Sequence, residues 1–147
     1  MENSTYINNH MELSFDAVSV NEAFSRTAVA MFMAQLDPTL EQIDDVKTAV
    51  SEAVTNSILH GYNNGEGEIE IVCEIKGQDI IVEITDHGVG IPDIEKAMEP
   101  LYTTKPEWER SGMGFAFMEA FMDELEVYSE VGKGTRVKLS KHIGDRT

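Results

Sequence analysis

Positive charge is scarce in this chain. Eleven Lys and Arg stand against 27 Asp and Glu, a formal net charge of −16. Nucleic-acid phosphates would repel such a surface, which argues against direct binding of DNA or RNA. The same balance suits a basic or mixed-charge protein partner, and it equally serves plain solubility. Cysteine is nearly absent too. With Cys73 alone, in a strand-like run, no internal disulfide can form, and the residue reads as a small buried hydrophobe in a cytoplasmic setting. No apolar run approaches the roughly 18 residues that span a bilayer, and an N-terminus with Glu2 and several Asn lacks a signal-peptide pattern. Internal repeats and linkers are missing as well, so 147 residues make one domain with a core of its own.

What is present divides into regular stretches and one irregular one. Residues 1–9 are polar and patternless, a loose tail ahead of a single domain over 10–147. Met11 to Phe15 alternates like a half-buried strand. Ser19-Val20-Asn21-Glu22 has the spacing of a capping box. It predicts a helix to about Leu36 with Ala23, Phe24, Ala28, Met31 and Phe32 inward. Pro38 suits the first position of a second helix, which Gly61 would cap at its C-terminus. After a polar turn over Tyr62 to Gly67, strands follow over 68–75 and 79–85, joined around Gly77, and a last hairpin over 125–131 and 135–139 turns at Gly132-Lys133-Gly134. Between them, Met113 to Met122 reads as an apolar core helix. The stretch 91–111 has a possible short helix at Ile94 to Glu99, is punctuated by Pro92, Pro100 and Pro106, and contains Trp108. Irregular segments of that length in a compact domain are usually functional, and a lid over a ligand is the natural reading. The sum is an α+β domain, a largely antiparallel sheet with helices on one face.

Three motifs carry chemistry. Asp86-His87-Gly88-Val89-Gly90 leaves the β-patterned run Ile80 to Thr85. A carboxylate at a strand end can accept from an exocyclic amine, and glycines beyond it admit a flat ligand close to the backbone. The same string alone serves equally for a tight turn. Apolar residues at Ile43, Val46, Val50, Ala53, Val54 and Ile58, with Ser57 as one small polar intruder, mark a helical stripe, with Glu52 opposite it and Asn56 one turn on. Such a pair can serve a metal and a nucleophile, although most Glu/Asn pairs on helices only face water. Finally, Ser111-Gly112-Met113-Gly114-Phe115 opens a helical run near Lys105 and Arg110, and free N–H groups at a helix start attract phosphate.

Together, Glu52-x-x-x-Asn56, Asp86-x-Gly88-x-Gly90 and Gly112-x-Gly114 resemble the ATP-binding fold shared by gyrase B, Hsp90, histidine kinases and MutL. Within that Bergerat-type superfamily, Ser51 to Asn56 and Pro100-Leu101-Tyr102-Thr103-Thr104-Lys105-Pro106 through Phe115 are similar to the serine kinase/anti-sigma proteins of endospore-forming bacteria, over roughly Met11 to His142. His87 departs from the acidic residue usual there. The resemblance implies a two-layer α/β sandwich with a mostly antiparallel mixed sheet and an ATP lid. It implies ATP and Mg²⁺ as cofactors. Asp86, with Gly88, Gly90 and Thr135, would take the adenine, and Asn56 the Mg²⁺. Thr104, Lys105, Arg110, Ser111, Gly112, Met113 and Gly114 would hold phosphates, and Glu52 would be the catalytic base. It further implies a homodimer that sequesters the sporulation sigma factor F and phosphorylates a serine of an anti-anti-sigma (STAS-type) protein, with Arg26 on the partner surface. No nucleic acid or membrane partner is expected. A nucleotide-gated inhibitor without kinase activity, a gyrase- or MutL-type ATPase and a stress-response anti-sigma factor are the competing readings. The close end of the chain after the sheet counts against the ATPase.

Overall fold

The computed structural model describes residues 7–99 and 114–144. Five strands form one sheet: β1 (Ile7–Asp16), β2 (Glu68–Gly77), β3 (Asp79–Asp86), β4 (Glu124–Glu130) and β5 (Gly134–His142), in the spatial order β1-β2-β3-β5-β4. Among the described residues all four pairings are antiparallel, so the expected mixed character has no parallel pair behind it there. Among the described residues the α-helices are α1 (Val20–Met33), α2 (Leu40–Asn56), the short α3 (Ile94–Ala97) and α4 (Phe115–Phe121). Of the expected tail, Ile7, Asn8 and Asn9 instead extend β1, opposite Gly77, Lys76 and Ile75.

Alternation explains the two layers. On the inner face Ile69, Ile71, Cys73 and Ile75 of β2 are buried, as are Ile80, Val82 and Ile84 of β3 and Val137 and Leu139 of β5. Each such aliphatic side chain contributes about 1.5–3 kcal/mol on burial. They pack with Val29 and Met33 of α1, Val46, Val50 and Ala53 of α2, and Phe115 and Met118 of α4. Cys73 is fully enclosed, and burial pushes its thiol up to about 12. The other face is solvated and acid-rich, with Glu83 opposite Lys138 and Lys138 opposite Glu126 across the ladder.

Three local expectations are corrected. Ser19 makes no side-chain cap bond; Glu22 turns to Arg26 four residues on (3.2 Å). The capping box lies at Thr39 and Gln42, after Pro38, where both reciprocal bonds form. The buried face of α1 is Ser25, Val29 and Met33, whereas Ala23, Phe24 and Met31 face out. In α4, Phe117 is exposed and stacks on Phe121 (centroids 6.3 Å apart), leaving Phe115 and Met118 as its core residues.

Candidate functional site

Past Asn56, α2 reaches its expected stop at Gly61 in a different form. It continues as a π-helical turn, Ser57–Gly61, closed by Tyr62 N–H on Ser57 O (2.9 Å). Such wide turns recur at functional sites because they re-aim side chains within a helix. Here the turn leaves Asn56, Ser57 and His60 buried at one end of the core, an unusual set of polar groups to enclose. Gly61 is no left-handed cap; positive φ falls on Asn63 and Asn64 instead. Its use is proximity. A Cβ at Gly61 would stand 3.1 Å from the Asp86 carboxyl carbon and from both its oxygens.

Asp86 ends β3 with only 4% of its surface exposed. Ser57 Oγ–H donates to Oδ2 (2.8 Å) and Gly88 N–H to Oδ1 (2.9 Å). Burial raises its pKa, and the bonds from Gly88, Ser57 and the Thr135 backbone oppose that rise, together with nearby His87. The glycines beyond it are needed for close approach. A Cβ on Gly88 would overlap Gly61 O, one on Gly90 would overlap Glu130 O, and one on Gly134 would overlap Asp86 O. Val89 N–H meets Gly61 O (2.9 Å) and Gly132 N–H meets Val89 O (2.8 Å), so this loop is stitched to both neighbours.

A cavity of about 340 Å³ opens over Asp86. Ala53, Val89, Ile91, Phe115 and Val137 give it apolar walls, and Asn56, Asp86 and Thr135 give it polar points. Thr135 lies directly opposite Asp86 in the ladder, its hydroxyl 2.8 Å from Ser129 Oγ, which also accepts Ile91 N–H (2.7 Å). Apolar walls with few fixed polar groups suit a flat heteroaromatic ligand.

One turn back along α2 from Asn56, Glu52 and Gly114 meet. Gly114 takes φ +81° before α4, and a Cβ there would overlap Glu52 Oε1. Glu52 is half-buried, while Asn56, one turn on, lines the cavity. Asn56 was expected on a polar non-core face, but it is buried, with 7% of its surface exposed. Among the described residues no group of three or more His, Cys, Asp or Glu could cage a cation. The carboxamide oxygen of Asn56 fits a Mg²⁺ held mainly by phosphates and water. Arg26 sits on α1, away from this cavity. Thr104, Lys105, Arg110, Ser111, Gly112 and Met113 lie outside the described residues, as does most of the expected lid. Ser57, Gly61 and Ser129 were not picked out for these roles. Ser57 stood in the apolar stripe as a polar intruder, which was the one available signal.

Known proteins resemble this chain over nearly its whole length. Residues 14–141 match the histidine kinase-like ATPase domain. The anti-sigma F factor of Thermoanaerobacter sp. (strain X514) is 61% identical over 136 residues, 92% of this chain and 95% of that protein. That of Clostridium botulinum (strain Eklund 17B / Type B) is 63% identical over 90% of this chain and 94% of its own length. Among solved structures, a Mycobacterium tuberculosis protein with RsbU and RsbW domains matches with a TM-score of 0.66 at 21% identity, over 92% of this chain and 32% of that one. The catalytic domain of histidine kinase ThkA matches with a TM-score of 0.54 at 15% identity, over 90% of this chain and 96% of that one. These two likenesses concern the fold alone.

Proposed function

The chain belongs to the anti-sigma F factor family, built on the histidine kinase-like ATPase domain, and from that premise we propose that it is an ATP-dependent serine kinase that also sequesters a sporulation sigma factor. The observation that carries the nucleotide half is Asp86, a buried carboxylate whose two oxygens are fixed by Ser57 and Gly88 under an apolar-walled cavity. The carboxylate keeps acceptor capacity for a ligand N–H beyond these two bonds, and the amino group of adenine offers one.

In this reading Asp86 accepts from the 6-amino group, while Gly88 and Gly90 let the base lie against the backbone and Thr135 adds its hydroxyl. Asn56 would hold Mg²⁺, whose chemistry there would be to neutralise phosphate charge. The family motif assigns Thr104, Lys105, Arg110, Ser111, Gly112, Met113 and Gly114 to the phosphates. Glu52 takes the proton from the serine hydroxyl of an anti-anti-sigma protein as its oxygen bonds to the γ-phosphorus and ADP leaves. Phosphoryl transfer needs little more than such positioning, charge neutralisation and a base. The contact of Glu52 with Gly114 supports this role, because it sets the carboxylate beside the start of α4. The functional unit is a homodimer in the cytoplasm. It holds sigma factor F through a surface that includes Arg26 on α1.

The test is phosphoryl transfer from γ-labelled ATP, with Mg²⁺, to the anti-anti-sigma protein of the same genome. Glu52→Gln should slow labelling by roughly 10²–10⁴-fold with nucleotide affinity nearly intact. Undiminished labelling would remove Glu52 as the base. Wild type that binds ATP and sigma factor but never labels the partner would leave a nucleotide-gated inhibitor.

A further inference from the structure

Behind the cavity, Tyr62 joins segments far apart in the sequence. Its hydroxyl donates to Glu68 O at the start of β2 (2.7 Å) and accepts the His87 N–H just after Asp86 (2.7 Å). The next two amides are also committed, Gly88 N–H to Asp86 Oδ1 and Val89 N–H to Gly61 O (both 2.9 Å). Three successive N–H groups beyond Asp86 therefore have fixed acceptors, and Tyr62 supplies the first.

The phenol is itself well held. The Tyr62 amide closes the π turn on Ser57 O, and its carbonyl accepts Gly65 N–H (2.7 Å). Gly67 lies flat on the ring, where any Cβ would overlap it. Burial, the largest influence, pushes the hydroxyl's pKa up, so it keeps the proton it donates to Glu68 O. Hydrogen bonds weaken steeply with misalignment. Release of His87 N–H would let the 86–87 peptide rotate and turn the Gly88–Asp86 bond out of line.

We propose that Tyr62 is a positioning residue for base selection: by tying the His87 amide to the first residue of β2, it orients the Asp86 carboxylate toward a 6-aminopurine. This rests on the reading of Asp86 as the partner of adenine.

The test compares ATP with purine riboside triphosphate, which lacks the 6-amino group, each titrated calorimetrically into full-length wild type and Tyr62→Phe. Wild type prefers ATP. Tyr62→Phe should lose about ten-fold in ATP affinity, the scale of one misaligned hydrogen bond, with the analogue unchanged. In nucleotide-free protein, exchange of the His87 amide should quicken by about ten-fold, while that of Ile71 within β2 stays as it was. Gly67→Ala, which displaces the ring but keeps the hydroxyl, should give the same selective loss. Equal losses for both nucleotides, or full ATP affinity despite faster His87 exchange, would overturn the proposal and leave Asp86 as the base's partner. Equal binding of both nucleotides by wild type would overturn that reading too, and the proposal with it.

Discussion

The two long helices pack against each other yet are built to opposite rules. The start of α2 is fixed by Thr39 Oγ1 accepting Gln42 N–H (3.1 Å) and Gln42 Oε1 accepting Thr39 N–H (2.9 Å). Its far end runs into the π turn that delivers Asn56 and Ser57 to the cavity. By contrast, α1 begins at Ser19 with no cap bond and buries only Ser25, Val29 and Met33. It leaves Val20 74%, Phe24 55% and Met31 72% exposed. Apolar area left in water is binding energy still available, at about 25 cal/mol per Å². The contrast separates the two helices: α2 commits its contacts to positioning, and α1 leaves apolar area exposed that the proposed partner surface would use.

The sharpest way to break the α2 side is at what its end touches. Asp86→Asn would turn an amide N–H₂ toward the ligand amine, donor against donor. ATP affinity should fall by about 1.5–3 kcal/mol, ten-fold or more by calorimetry. Folding should respond in the opposite sense. A carboxyl with a raised folded pKa costs stability above that pKa and nothing below its unfolded value, so stability falls as pH rises between the two. Asp86→Asn should remove that pH dependence and hold or raise the melting temperature at neutral pH. Lost ATP affinity with lost stability would mean that Asp86 serves the fold. Next in size is Lys141, only 11% exposed, which donates to Phe121 O (2.7 Å) at the end of α4 and stands 3.6 Å from Asp45 of α2. Lys141→Met should cost about 2 kcal/mol, less than a fully buried pair because Asp45 keeps some solvent, read as a shift in the urea midpoint.

The caps then give a matched pair. Thr39→Ala should cost about 1 kcal/mol, and Ser19→Ala less than about 0.5. Equal costs would mean that α1 is as firmly begun as α2. That result bears on what could be read from sequence. Ser19-x-x-Glu22 and Thr39-x-x-Gln42 both carry the capping-box spacing, and the spacing alone does not decide between them; Glu22 is drawn away by Arg26, four residues on. The strands and Asp86 were legible because alternation is a strict period and the motif follows its end. The α2 stripe was legible for the same reason. The inward face of α1 was not, since apolar residues occur all round it and tertiary packing chose Ser25, whose hydroxyl is satisfied by Glu22 O (2.8 Å). Nor was Gly61, where the requirement is room beside a carboxylate that comes from elsewhere in the chain. Tyr62 looked like part of a polar turn because its partners, Glu68 O and His87 N–H, are backbone groups that leave no residue signature.

The smallest expected effect on folding is the one that best isolates α1. Arg26 is 41% exposed and pairs with Glu22 within its own helix, an arrangement worth about 0.3–0.5 kcal/mol. Arg26→Ala should therefore leave the melting temperature and ATP affinity almost unchanged. If α1 is the partner helix, the same substitution should weaken sigma-factor binding by ten-fold or more, since desolvated Arg side chains are frequent anchors at interfaces. The ratio of the two effects is what matters. A residue whose loss the fold barely registers and the complex registers strongly belongs to the surface held in reserve. Equal, small effects on both would move the partner surface off Arg26 and leave the exposed Val20, Phe24 and Met31 to be tested for it.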